Sequence, residues 1–590
     1  MAETIISPGV IQRENDISFI QPAAVAAGAA IIGPTVKGPI EIPTMVYSYN
    51  EYIRKFGDSF SSASTKYEYL TSLAVKSYFS QGGQSVLVTR VANTATNYTS
   101  ATNTWISSSA VTGALTGSQP FTLATLGKGV IYNNATSSNH PINFSTSYEN
   151  SDGSLISGSA DNIRWEISNV NNSLGTFTVT VRQGDDNRNN KTVLETFNNV
   201  SLDPNSDNYI SQVIGDQVKN VSTDGSSYYV STTGSYPNRS NFIRVSSVNN
   251  KTLNYLGTDG ITVGKDRNGV SYSGSLPVAA SGSFYSATGD ITSGANYFEN
   301  INSSNTQGLA GSDYNKVINL LLNKDDYQFN VITAPGLTYA NNPTQLDALI
   351  SLAELRGDCI CVVDLVNYGS TAASATSQAT SLNTSYGAAY WPWVQLRSVT
   401  GRNEWCPASV VIPGTYAFTD ASSAPWMAPA GFTRGGLVGT LQAERKLSKS
   451  DRDLLYSGKV NPVSTFPGVG MTVLGQKTLQ TKASALTGVN VRRLLIELKK
   501  FIGDQAKNLL FEQNTATTRN KFLAKVNPYL ESVVQRQGLY AFKVKMDDSN
   551  NTPDVVDRNQ LVGQIYIQPT RTIEFVLLDF VIEPTGVTFG

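Results

Sequence analysis

Residues 329–365 read FNVITAPGLTYANNPTQLDALISLAELRGDCICVVDL. The stretch parses as a strand, Phe329 to Thr333, a turn at Ala334-Pro335-Gly336, a helix from about Pro343 to Leu355, and a second strand from Cys359 to Leu365. Strand, helix and strand in that order form the repeating unit of an α/β domain. The same alternation stands far upstream. An apolar strand, Val25 to Ile32, leads through the Gly/Pro-punctuated loop Gly33 to Pro43 to helical segments around Glu51 to Phe56 and Tyr67 to Phe79, then to the strand Ser85 to Arg90. Between Val91 and about Asn305 the character changes: Ser, Thr, Asn and Gly dominate, and short alternating runs such as Thr176 to Arg182 and Asn241 to Ser246 recur. A β-rich module therefore interrupts an α/β domain, whose pattern resumes at Val317 to Leu322.

The last 110 or so residues carry a different alternation. Val491, Leu494, Leu495, Leu498, Phe501 and Ile502 follow the three-four spacing of an amphipathic helix, with Arg492, Arg493, Lys499 and Lys500 largely on other faces. A second helix is expected from about Thr518 to Gln537, with Asn527-Pro528 as an N-cap pair or a kink and Gly538 as the stop. Tyr540, Phe542, Val544 and Met546 then alternate with polar residues as in a half-buried strand, and strands Gln564 to Gln568 and Thr572 to Ile582 follow. Outside these units lie a leader of about 22 residues, with Ile5-Ile6 and Val10-Ile11 around the turn Ser7-Pro8-Gly9, and the terminal segment 583–590.

Composition bounds the function. At 590 residues the chain is long enough for three or four domains. The 44 Lys+Arg against 45 Asp+Glu leave a net charge of -1, which excludes a wholesale polyanion-coating role and an acidic tail. Charge is instead local: residues 481–545 carry twelve basic and four acidic side chains, residues 546–590 two basic and seven acidic. Such opposed blocks favour ordered contact between copies or with an acidic partner. Direct nucleic-acid binding is not expected, because the basic segment lacks interleaved exposed aromatics. With no basic and apolar leader and no apolar run long enough to span a bilayer, the chain reads as a soluble protein folded in a cytoplasm, without membrane insertion.

Chemistry is sparse. Three Cys and one His restrict metal and nucleophile-base sites. Cys359 and Cys361, two apart on a strand, share a face as buried thiols, and Cys406 has no obvious partner. The run Gly470 to Thr478 is a near miss for a phosphate loop, since Gln476 separates Gly475 from Lys477 and keeps the amine from the place where phosphates would sit. His140 lies in a polar low-complexity stretch and reads as solvent-exposed. Asp325, Asp326 and Asp364 are available as paired acids, but nothing in the sequence places them, and they read as loop, cap or solubility residues. No catalytic residue, cofactor or metal ligand is assigned.

Several motifs resemble one family in order. The leader Ser7-Pro8-Gly9-Val10-Ile11, the run Ile31 to Pro39 with Pro43, Tyr52 to Gly57, Asn330 to Gly336 and Ala353 to Asp364 are similar to contractile tail sheath proteins of bacteriophages. So are Asn461-Pro462, Phe466-Pro467-Gly468, Leu474 to Leu479, Asn490 to Arg493, Phe511-Glu512, Thr518-Arg519, Asn551-Thr552-Pro553 and Ile565 to Pro569. The resemblance leaves out about 93–307, a zone where sheath proteins typically carry outward-facing insertions.

It implies a structural, non-enzymatic subunit of a virion tail, assembled in the host cytoplasm. Copies would stack as sixfold rings around a tail tube, between baseplate and tail terminator proteins, in a metastable extended state that contracts without spending nucleotide and drives the tube through the host envelope. The sheath of a phage-tail-like bacteriocin or of a contractile injection system would share this machinery. A glycan-binding or glycan-cleaving surface protein is the alternative of a different class, suggested only by the Ser/Thr/Asn-rich insertion.

The expected fold is thus α+β and multidomain: an extended N-terminal arm (1–22), an α/β middle domain (23–92 and 308–465), an all-β outer insertion (93–307), an α+β inner domain (466–582) and a C-terminal arm (583–590). Three C-terminal strands leave a sheet with edges to fill, and the two arms are β-competent segments outside any core, so strand exchange between subunits is expected. Family resemblance assigns that role to Ile5, Ile6, Val10, Ile11, Val587 and Phe589. Arg492, Arg493, Lys499 and Lys500 are the candidate residues facing the tube or a neighbouring subunit.

Overall fold

The computed structural model describes residues 25–62, 65–93, 98–103, 120–129, 152–155, 158–160, 162–225, 227–285, 287–288, 301 and 309–574. The arm residues Ile5, Ile6, Val10, Ile11, Val587 and Phe589 and the single histidine, His140, lie outside the described residues.

An eight-stranded sheet organises the centre. Its strands are β1 (Val25–Gly33), β2 (Thr44–Val46), β3 (Val86–Arg90), β4 (Tyr327–Thr338), β5 (Ile360–Asp364), β6 (Gly387–Trp391), β7 (Val460–Phe466) and β8 (Gly470–Val473), in the spatial order β2-β3-β1-β4-β5-β6-β7-β8. The six inner strands pair in parallel, and an antiparallel strand closes each edge. Parallel strands need crossover connections, and helices fill both faces: α1 (Tyr49–Phe56), α2 (Leu70–Ser80) and α5 (Ile412–Ser422) on one, α3 (Pro343–Arg356) and α4 (Ala372–Thr380) on the other. Alternation along β5 divides its residues between two cores, Ile360 and Val362 on the α1/α2 side, Cys361 and Val363 on the α3 side. Cys359 shares the α3 side, as its spacing predicts, and all three thiols are buried and free. Burial pushes the Cys359 thiol up to about 12, so it is inert.

Three local expectations change. The turn at 334–336 is absorbed into β4 as an irregularity between Thr333 and Thr338, where Gly336 takes a positive φ of 101°. The helix expected from Tyr67 begins at Leu70, because Thr65–Glu68 pairs with Ser59–Ser62 as a hairpin. The central sheet also continues past position 466, since β8 hydrogen-bonds to β7.

Between β3 and β4 the chain builds a second sheet of seven antiparallel strands, ordered Val193–Ser201, Thr176–Gln183, Ile163–Asn171, Ala280–Tyr285, Thr102–Asn103, Phe121–Thr125, Ile243–Val248. Trp165, Phe177, Phe121 and Phe284 fill its core, and Trp165 Nε1 donates to Ser283 O at 3.0 Å. At one end Asp186 receives Arg182 on both carboxylate oxygens at 2.7 Å and Arg164 at 3.3 Å, with all three side chains buried. A separate ribbon, Val218–Asp224 with Ser227–Thr233, extends from this unit.

Asp364 is the buried acid of the central unit. At the end of β5 it accepts from Ser409 N at 3.1 Å and from Ser409 Oγ, yet burial outweighs both bonds and raises its pKa from 3.8 to about 7. Raised above the unfolded value, it makes the folded state hold a proton that the unfolded chain has released between about pH 4 and pH 7. Stability from this group is therefore complete below pH 4 and declines as pH rises to 7. Asp364→Asn, which keeps an acceptor for Ser409, is expected to raise the melting temperature at pH 8 and to flatten its decline between pH 5 and 8. Parallel thermal melts of both proteins across that range check it.

Candidate functional site

The C-terminal part builds a compact face on the central unit. Helices α6 (Val489–Lys507) and α7 (Ala516–Gln535) share one core, Leu494 and Leu498 with Phe522, Val526, Leu530 and Val533, and Phe501 stacks on Tyr529 with centroids 3.7 Å apart. Pro528 lies inside α7 and does not start a helix. Under this pair lie β9 (Leu539–Lys545) and β10 (Gln564–Pro569), antiparallel, with Phe542 opposite Ile567 and Val544 opposite Ile565. An irregularity between Leu539 and Ala541 turns Leu539 into the core and leaves Tyr540, expected on the buried face, 62% exposed. Among the described residues no third strand joins this pair.

The strand expected from Thr572 is not formed at its start. After β10 the chain leaves the sheet and is moored on the central unit: Thr572 Oγ1 accepts from Gln476 Nε2 at 2.5 Å, and Tyr456 OH donates to Glu574. Residues 575–582 of that expected strand lie outside the described residues. Segment 570–574 borders a groove of about 900 Å³ walled by Trp426, Met427, Arg452, Tyr456 and Tyr540. The phosphate-loop near miss is here: Lys477 donates to Tyr456 O at 3.1 Å and lies 3.6 Å from that ring's centroid, so its ammonium serves a packing role.

The four basic residues singled out on α6 divide. Arg493 is buried, donates from Nη2 to both carboxylate oxygens of Asp420 of α5 at 2.5 and 2.6 Å, and lies 4.7 Å over the Tyr416 ring. Burial alone would lower its pKa, and Asp420 outweighs this and leaves it raised. Arg492, also buried, lies 3.9 Å over Tyr386 and bonds Ser385. Lys500, half-buried, donates to Phe329 O at 3.2 Å and to Asn330. Lys499 is exposed and reaches Tyr386 OH at 3.2 Å. The expectation that these side chains lie on faces free for a partner is corrected for Arg492 and Arg493: they fasten α6 to the central unit, a choice made by aromatic and acidic residues more than 70 positions away in sequence. Trp426 makes a second fastening, donating to Arg536 O at 3.1 Å beneath the Arg536 guanidinium.

Enzymatic alternatives find little here. Asp325 and Asp326 lie in an exposed turn and Asp364 is sealed in the core, so the three acids do not converge. At the carboxyl ends of β1 and β4, where open parallel sheets commonly take ligands, the chain itself fills the crevice: Ile301 N donates to Gly336 O at 2.8 Å and Asn342 Nδ2 to Ile301 O at 2.7 Å. Among the described residues no three His, Cys, Asp or Glu side chains group as metal ligands, and no helix is long and apolar enough to cross a membrane.

Comparison with known proteins agrees with the motifs. The family description "phage tail sheath protein central domain" matches residues 285–479, and "phage tail sheath C-terminal domain" matches residues 481–583, together just over half of the chain. The chain belongs to the phage tail sheath family. A tail sheath protein of Vibrio phage KVP40 is 42% identical over 189 residues, 32% of this chain and 28% of that protein. The tail sheath protein of Enterobacteria phage T4 is 34% identical over 259 residues, 41% of this chain and 39% of its own. This sheath-family chain thus spans well under half the length of these curated relatives. Its α+β fold matches the crystal structure of a sheath tail protein from Listeria innocua with a TM-score of 0.51 at 11% identity, over 92% of this chain and 96% of that one.

Proposed function

We propose that the chain is the structural subunit of a contractile phage tail sheath, polymerising around a tail tube in an extended state and contracting to drive the tube through the host envelope. The observation that carries this reading is the two-stranded β9–β10 sheet, which among the described residues gains no further strand, in a chain of the sheath family. An open-edged sheet is a receptor for strands from another copy, and backbone pairing supplies affinity without a large side-chain interface. The donors are the arms: Ile5, Ile6, Val10 and Ile11 at one end, Val587 and Phe589 at the other. Such tethers bend while the body they join stays rigid, and Arg493–Asp420, Arg492–Tyr386 and Arg536–Trp426 support a central and C-terminal body that moves as one. The sheath is then a lattice with two packings of different free energy, and no nucleotide enters the cycle.

In this reading the seven-stranded insertion faces outward, the central unit forms the wall, and the α6–α7 side faces inward. The partners are other copies in hexameric rings, the tail tube protein, and baseplate and terminator proteins. The role is not enzymatic, and the protein resides in the virion. Of the four α6 cations singled out only Lys499 is exposed, and it joins Lys507 at the end of α6 and Lys521 and Lys525, exposed on α7, as the basic residues available to an acidic tube surface. Exposed pairs of this kind are individually weak and screened by salt, which suits a contact that must break.

Negative-stain electron microscopy of the concentrated full-length protein, alone and with its tube protein, tests the proposal. Hollow tubes with a regular axial repeat are expected, and deletion of residues 1–15 is expected to abolish them while the circular dichroism spectrum is unchanged. Tubes formed by the truncated protein would overturn the role of the N-terminal arm. Absence of tubes with full-length protein and tube protein together would overturn the sheath reading.

A further inference from the structure

A cavity of about 530 Å³ lies at the joint between the seven-stranded unit and the central unit, between the loop Gly38–Met45 on one side and residues 126–128, 217–219 and 237–244 on the other. It is a constructed joint. Arg90, buried at the end of β3, donates one Nη1 to Gly38 O at 2.8 Å and to Lys128 O at 2.9 Å, pinning a loop of each unit to the other. Gly38 has a φ of 102° and no room for a Cβ, which would come within 2.7 Å of the Phe56 ring, so the loop is held close to α1.

Four cations line the cavity, Lys55, Lys128, Lys219 and Arg244, and no carboxylate is among the described lining residues. Lys55 is already paired with Glu51 at 2.8 Å, and Lys219 sits exposed at the rim. Lys128 and Arg244 differ from both. Each is half-buried, and neither the ammonium nor the guanidinium has a hydrogen-bond or ion-pair partner among the described residues. The nearest acids serve other groups: Glu41 pairs with Lys316 at 2.5 Å, Asp216 accepts Tyr236 N at 2.7 Å, and Glu195 accepts Ser240 Oγ at 2.6 Å. Desolvation pushes the pKa of both cations down, partly offset by Glu41 at Lys128 and by Asp216 at Arg244, and Arg244 adds to the lowering at Lys128. Half-burying two positive groups without a direct ion-pair partner is unfavourable, and an anion between them removes that penalty through charge-assisted bonds.

We propose that this cavity is an anion site for a small tetrahedral oxyanion of the phosphate class, held by Lys128 and Arg244 of the seven-stranded unit where that unit meets the central one. Arg244 lies on the edge strand of the seven-stranded sheet and Lys128 in the loop that follows its neighbour strand, the loop that Arg90 ties to Gly38, so a bound anion orders the outer unit's side of the joint.

Titration calorimetry of the full chain with inorganic phosphate, at constant ionic strength against chloride, tests the site. Saturable one-site binding in the millimolar range or tighter is expected, weakened about 10-fold or more by Arg244→Gln and by Lys128→Gln and about twofold by Lys219→Gln at the rim. Amide exchange in 126–129 and 237–244 is expected to slow when phosphate binds. Arg244→Lys, which keeps the charge and loses the fork, is expected to retain partial binding and serves if Arg244→Gln does not fold. No saturable binding by ~10 mM phosphate, or binding unchanged in the Lys128 and Arg244 variants, would overturn the proposal.

Discussion

Asp186→Ala is expected to speed amide exchange in strands Ile163–Asn171 and Thr176–Gln183 by about 10²- to 10³-fold, leaving exchange in α3 unchanged. The reason lies in what remains after the change. Arg182 and Arg164 have side-chain exposures of 3% and 1%, and Asp186 is the carboxylate that both reach. Truncating one member of a buried pair costs about 3–5 kcal/mol, because the stranded charge loses its partner without regaining water. Arg182 keeps Glu166 at 2.9 Å and Arg164 keeps Gly153 O at 2.8 Å, which sets the effect toward the lower part of that range. Since a domain is stable by about 5–15 kcal/mol, the sheet is expected to stay folded but to open far more often. Unchanged exchange would mean that the carboxylate is not carrying the arginines' desolvation.

Asp420→Ala and Arg493→Met are expected to be unequal although they break the same pair. Arg493 is 3% exposed in its side chain and Asp420 30%. Removing Asp420 strands a cation over the Tyr416 ring inside the joint, at a cost of about 3–5 kcal/mol. Removing Arg493 leaves a carboxylate that water can reach, and a methionine of similar length that fills the space, at a cost of about 1.5–3 kcal/mol. Urea unfolding followed by exchange in α5 and α6 reads both, and the double variant should lie close to Arg493→Met alone. Equal effects of the two single changes would show that the pair is solvated from both sides. If the joint holds the central and C-terminal parts as one body, Asp420→Ala should also reduce the yield of regular tubes more than Arg493→Met does.

Both predictions concern contacts that no local pattern in the chain announces, whereas the backbone architecture was legible almost throughout. Val25 to Ile32, Ser85 to Arg90 and Cys359 to Leu365 are apolar runs because parallel strands with helices on both faces have no solvent side, and that alone marks an α/β unit. The amphipathic spacing of α6 and the period-two pattern of β9 likewise arise from burial on one side, so both elements could be read, β9 within a residue and α6 short of its end at Lys507. Irregularities were harder to read. Leu539 displaces Tyr540 from the core through a bulge, and Ala334-Pro335-Gly336, with every mark of a turn, is carried inside a strand, because pairing with neighbours outweighs local turn preference.

Side-chain roles depended on the tertiary structure more than the backbone did. Periodicity assigns a residue to a helix face but not to what covers that face. Arg492 and Arg493 read as outward cations until Tyr386, Tyr416 and Asp420, brought in by other elements of the central unit, supplied the aromatic faces and the carboxylate that make their burial favourable. Lys128 and Arg244, more than a hundred positions apart, gave no signal as a pair, and only the pairing of Phe121–Thr125 with Ile243–Val248 in one sheet places them around one cavity. The apolar strands, the amphipathic helices and the family motifs are local or repetitive in origin, and the sequence by itself determined them. Which charges are buried, paired or left facing each other is a property of contacts distant in the chain, and only the folded structure decided it.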